Sequence, residues 1–98
     1  MLLEGPICRE PTYRRTPMGR EICDVMLAIP RAFRRADYLP CILWGRTALE
    51  ASHCHTRDIL QIRGRLQSRI YTKVTESGSE ERTAYEISAL TAQVMETN

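Results

Sequence analysis

"DILQIRGRLQSRIYTKV", residues 58–74, decides the fold. Its side chains alternate. Leu60, Ile62, Gly64 and Leu66 form one row; Gln61, Arg63, Arg65, Gln67, Arg69, Tyr71 and Lys73 form the other. A period of two over such a length reads as a long strand with one buried face. Gly64 in mid-strand marks a bend or bulge, which a sheet needs in order to close on itself. The apolar row is expected inside a curved sheet and the basic row outside it.

The neighbouring stretches repeat the theme. In "REICDVMLAI" (20–29), Cys23, Val25, Leu27 and Ile29 share one face, and Ile22, Asp24, Met26 and Ala28 the other. "TPMG" (16–19) before it is a Pro/Gly turn, and "LLEGPIC" (2–8) is a further extended piece. "DYLPCILWG" (37–45) alternates Leu39, Cys41 and Leu43 against Tyr38, Ile42 and Trp44. Pro40 there suits an edge or a bulge. "RTALEASHC" (46–54) has helical composition but is short, "TESGSEER" (75–82) reads as a polar loop, and "TAYEISALTAQV" (83–94) as the last strand. Five strands, a short helix between the third and fourth, and a glycine-marked bend predict an all-β, five-stranded Greek-key barrel of the OB-fold type. An SH3-like barrel is the alternative, and the long fourth strand with its preceding helix argues against it. The length of 98 residues supports one domain, residues 1–98, with a modest core.

Several function classes fall away. The longest apolar run, Val25 to Ile29, is too short to span a bilayer, and no leader pattern precedes it, so a cytoplasmic protein without membrane contact is expected. Cys8, Cys23, Cys41 and Cys54 make no C-x-x-C pair and are expected to stay reduced. "HCH" (53–55) invites a zinc reading, but adjacent ligands rarely converge on one tetrahedral ion. A buried thiol between two surface histidines is the expectation. No base and orienting acid accompany any cysteine. A nuclease would need clustered carboxylates, and Asp24, Asp37 and Asp58 are scattered. The chain is therefore expected to be no enzyme, with no metal and no cofactor.

The charge points elsewhere. Residues 1–75 carry thirteen basic and seven acidic side chains, a balance of +6; residues 76–98 carry one and five, a balance of −4. Thirteen of the fourteen basic residues are arginine, which stacks on flat rings and grips phosphate better than lysine. "RAFRRADYLPCILWGR" (31–46) holds three of the chain's six aromatic residues among four arginines. Aromatic rings on an outer row have two readings. They cover a subunit interface, or they form a platform on which single-stranded bases stack while arginines hold phosphates.

Four motifs then carry a resemblance: "REPTYRRTPMGREICDVMLAI" (9–29), "DYLPCILWGRTA" (37–48), "IRGRLQSRIYTK" (62–73) and "RTAYEIS" (82–88). In this order they resemble the bacterial single-stranded DNA-binding protein (SSB) family over nearly the whole chain. The resemblance implies sequence-tolerant binding of single-stranded DNA in replication, recombination and repair, at the nucleoid. Residue by residue, it implies stacking by Phe33, Tyr38, Trp44 and Tyr71. Phosphate contacts would come from Arg14, Arg31, Arg34, Arg35, Arg46, Arg65, Arg69 and Lys73. It also implies a homotetramer, or a dimer, built partly by first-strand pairing. The chain departs from the family pattern in three places. It stops at "VMETN" without an acidic tip, it begins close to the first strand, and it has "TRD" (56–58) where the family turn carries glycine. The chain is compatible with a domain cut from a longer protein, with replication and repair partners engaged only through segments it does not contain. The alternative is a primosomal-accessory-like interaction or oligomerisation module whose aromatics lie in a subunit interface.

Overall fold

The alternating rows fold into a six-stranded sheet that curls around one apolar core. The structure, a computed structural model, describes residues 1–97 with all their side chains except that of Arg34. The strands are β1 (Leu2–Pro6), β2 (Thr12–Arg15), β3 (Glu21–Pro30), β4 (Ala36–Trp44), β5 (Ile59–Thr75) and β6 (Gly78–Glu96). A 3₁₀ turn, Ala32–Arg34, links β3 to β4, and the helix α1, Gly45–Ser52, follows β4. The sheet order is β1-β5-β6-β4-β3-β2. Neighbours are antiparallel except β4 and β6, which pair in parallel at Cys41↔Ile87 and Ile42↔Ser88.

The first fifteen residues close the barrel. β1 pairs with β5 at one edge and β2 with β3 at the other. Between them Ile7 bridges to Leu27 of β3, and its N–H donates to the Asp58 carbonyl (2.9 Å). The Cys8 N–H donates to the Met26 carbonyl (3.0 Å). Gly5 lies so close to the Ala28 carbonyl that a Cβ there would collide with it. The expected extended piece at 2–8 is thus β1 plus the Ile7 bridge. The sequence reading missed β2, because all four of its residues are exposed and no apolar row announces it.

The core is the inner row as expected for most positions. Cys23, Val25, Leu27, Cys41, Leu43, Leu60, Ile62, Ile87 and Ala89 are buried together with Ile7. α1 adds Ala48 and Ala51, three residues apart and so on one face. Gly45, at φ +62, makes the corner from strand to helix in a conformation that costs other residues steric strain.

Two expectations fail. Leu66 was assigned to the inner row and is 51% exposed. The sheet register shifts between Arg63 and Gly64, and β4 touches β6 no nearer the hairpin tip than Cys41↔Ile87. Leu66 lies opposite Ile87, at the end of that three-stranded stretch, and beyond it β5 and β6 run on as a two-stranded ribbon. The segment 75–82 is also no loop. The ladder continues to Thr75↔Gly78 around Glu76 and Ser77. A ribbon solvated on both faces needs no apolar alternation, so its polar sequence disguised it.

Candidate nucleic-acid interface

One ladder row fixes the geometry of the outer face. Thr12 lies opposite Asp24, Asp24 opposite Ile42, Ile42 opposite Ser88, and Ser88 opposite Arg65. Residues directly opposite in a sheet point to the same side. The outer faces of β2, β3, β4, β6 and β5 are therefore one continuous surface. Stepping by two from that row puts Tyr38 and Trp44 of β4, Arg14 of β2, and Gln67, Arg69, Tyr71 and Lys73 of β5 on it. Tyr38 and Trp44 are six residues apart on one strand, about 20 Å at the rise of a strand. Between them the floor is apolar: Ile42, Pro40 and its partner Met26. An open groove of about 210 Å³, lined by Arg9, Glu10, Thr12, Asp24, Val25, Met26 and Pro40, lies beside that floor.

All four stacking candidates are exposed residues, Phe33 at 94%, Tyr38 at 65%, Tyr71 at 44% and Trp44 at 37%. Tyr38, Trp44 and Tyr71 share the sheet face. Phe33 stands off it, in the 3₁₀ turn beyond the Tyr38 end, with φ +62. That conformation is an outlier for a bulky residue. Arg31 and Arg35 flank the same turn, closed by the Arg31 N–H donating to the Arg35 carbonyl (2.8 Å). Arg46 lies exposed in the first turn of α1, just past Trp44. The side chain of Arg34 falls outside the described residues.

The cations fall into two groups. Arg14 pairs with Asp24 (3.5 Å), Arg31 with Asp37 (3.2 Å), and Arg69 approaches Glu86 (4.0 Å). The Arg14 and Arg31 pairs are exposed, worth about 0–1 kcal/mol, and exchange readily for another anion. Arg35, Arg46, Arg65 and Lys73 have no ion-pair partner among the described residues.

Sequence reasoning missed two residues here. Arg20, just past the turn glycine, lays its guanidinium over the Trp44 ring, 5.0 Å from the centroid. Nothing in the sequence marks that contact, which depends on the turn's shape. Glu86, opposite Gln67 on the outer face, is only 9% exposed and accepts a 2.9 Å hydrogen bond from the Gln67 side chain. Ile22, assigned to the outer row, is also buried there, with Arg14 and Trp44 opposite it on the flanking strands.

The histidine-cysteine stretch separates in space. Cys54 is buried in the core, while His53 and His55 are exposed. His55 Nδ1 lies 3.3 Å from a Glu10 carboxylate oxygen. Burial pushes the Cys23 thiol up to about 11, the Cys41 thiol up to about 12, and the Cys54 thiol above its ordinary value. Protonated, enclosed thiols are poor nucleophiles and poor ligands.

Comparison with known proteins agrees with the motif order. The model of the single-strand binding protein family matches residues 1–95. Single-stranded DNA-binding protein B of Bacillus subtilis is 33% identical, over 72% of this chain and 69% of its own length. The single-stranded DNA-binding protein of Oceanobacillus iheyensis is 29% identical, over 99% of this chain and 63% of its own length. Single-stranded DNA-binding protein 1 of Staphylococcus aureus is 33% identical, over 72% of this chain and 47% of its own length. The chain thus spans about half to two thirds of the length of these relatives.

Proposed function

The chain belongs to the single-strand binding protein family, and from that premise we propose that it binds single-stranded DNA on the outer face of the barrel, without catalysis. The observation that carries this reading is the ladder row from Thr12 to Arg65, which makes Tyr38, Trp44, Tyr71, Arg14, Arg65 and Arg69 parts of one surface. Bases stack on the three rings and on Phe33. Arg14, Arg31, Arg34, Arg35, Arg46, Arg65, Arg69 and Lys73 neutralise phosphates. Stacking is tolerant of sequence, since every base offers a flat face. Duplex DNA keeps its bases stacked on each other and gains little here. Residues 1–98 act as one binding domain, at the nucleoid, wherever replication, recombination or repair opens the duplex.

The same family premise supports self-assembly, as a dimer or tetramer. β1 lies at the sheet edge and offers backbone groups for pairing with a second copy. Leu2 of β1 and Leu90 and Val94 of β6 are exposed apolar side chains near that edge of the sheet.

The test is a binding titration with a dye-labelled oligothymidylate against a duplex of equal length, repeated across salt concentrations. Binding should favour the single strand. Affinity should fall with salt by a log–log slope of roughly −0.7 per phosphate neutralised. Equal binding of duplex, or an affinity indifferent to salt, contradicts the reading.

A further inference from the structure

We propose that Arg20 is a displaceable cover on Trp44, held over the indole in the free protein and transferred to a phosphate when a base takes the ring. This rests on Trp44 being a stacking residue. In the free protein the Arg20 guanidinium lies 5.0 Å from the ring centroid. Its backbone is fixed by the turn at 16–20. The Thr16 N–H donates to the Arg20 carbonyl (2.8 Å), the Gly19 N–H donates to the Thr16 carbonyl (2.8 Å), and the Arg20 N–H donates to Thr16 Oγ1 (3.0 Å). Gly19 supplies the left-handed φ of +83 that the turn requires. None of these bonds uses the Arg20 side chain, so it swings away without disturbing the fold.

Among the described residues no acidic partner holds its charge. Arg14 and Arg15, at the same end of the barrel, pair with Asp24 and Glu21. Arg20 has no ion-pair partner among the described residues, and the indole is the contact that positions it. An exposed guanidinium on an indole is a weak cation–π contact, and a base stacked on the same ring is the stronger one. Once displaced, the planar guanidinium meets the phosphate that arrives with the base, and it suits that geometry. Arg14 stands two strands away on the same row, beyond Ile22. The exchange keeps the ring covered before binding and adds one phosphate contact after it.

Arg20→Ala and Arg20→Lys test this with the single tryptophan as reporter. In the free Arg20→Ala protein, acrylamide should quench Trp44 emission more steeply than in wild type. With oligothymidylate, its log–log salt slope should be shallower by roughly 0.7, one phosphate's share, while quenching at saturation is retained. Arg20→Lys should restore the wild-type slope. An unchanged slope in Arg20→Ala, or acrylamide quenching equal to wild type, overturns the proposal. Wild-type protein that fails to bind the oligonucleotide overturns the functional reading first. The acrylamide comparison, made without DNA, tells the two failures apart.

Discussion

Arg57 adopts φ +80, the left-handed conformation that glycine takes without strain. The sequence shows "TRD" where the family turn carries glycine, and the structure keeps the glycine-like backbone with an arginine in it. A left-handed non-glycine residue costs about 1–2 kcal/mol. Part of any gain from glycine is offset by its greater freedom when unfolded, about 0.5–1 kcal/mol. Arg57→Gly should therefore raise stability by up to about 1 kcal/mol, read as a higher denaturation midpoint; a lower midpoint contradicts the strain. Glu10 is a second single-residue case. The Thr56 backbone N–H, and then His55, hold its carboxyl below the ordinary value of 4.5. A lowered folded value means stability present above that ordinary value and lost as pH falls through the folded one. The stability difference between wild type and Glu10→Ala should shrink as pH falls below about 4.5. A difference that grows with acid contradicts it. At this scale the outward rings of Tyr38, Trp44 and Tyr71 were legible from alternation, and Phe33 only from the family resemblance. Arg20 over Trp44 and the buried Glu86 were not, since both depend on what a turn or a neighbouring strand brings alongside.

β5 behaves as two different strands joined at Gly64. Before the glycine it is a barrel stave, with Leu60 and Ile62 buried against the core. After the Leu66 row, the last on which β6 also pairs with β4, it is half of a free ribbon with Ile70 and Val74 exposed. Alternation reads the same on both sides of the join, so the inner row was legible only as far as the barrel accompanies it. The glycine itself was legible as a bend, and its reason is close approach. A Cβ at residue 64 would run into the backbone of Ser88 and Ala89 across the bulge. Gly64→Ala should cost roughly 1–3 kcal/mol as an overpacked core position. Chemical denaturation checks this, and an unchanged midpoint would mean the β5–β6 register adapts without strain. The helix was legible from composition, because Ala48 and Ala51 need only the helical period to share a face.

Closure and assembly belong to the whole molecule, and the sequence carried less of them. No local pattern says that residues 1–15 tie both edges of the sheet, since that follows from strand order. β1 shows what remains open. The Gly64 N–H donates to the Met1 carbonyl and the Ile7 N–H to the Asp58 carbonyl, so odd residues of β1 face β5. Glu4 then turns its N–H to the free edge. Proline there removes a donor from that edge and leaves the ladder to β5 intact. Glu4→Pro should shift sedimentation toward a smaller species, and an unchanged species would place assembly on another surface.

The account rests most directly on the ring of Trp44. It is the chain's one tryptophan, and the register sets it on the outer face with Ile22 and Arg14 beside it. Its emission should be quenched as oligothymidylate is added, and little changed by duplex at the same concentration. Trp44→Ala should weaken single-strand binding by about 1–3 kcal/mol, the worth of one base stacked on an aromatic side chain, and leave the fold standing. Emission that stays constant while the oligonucleotide binds, or a Trp44→Ala protein that binds as wild type, would contradict the claim that this face stacks the bases of single-stranded DNA.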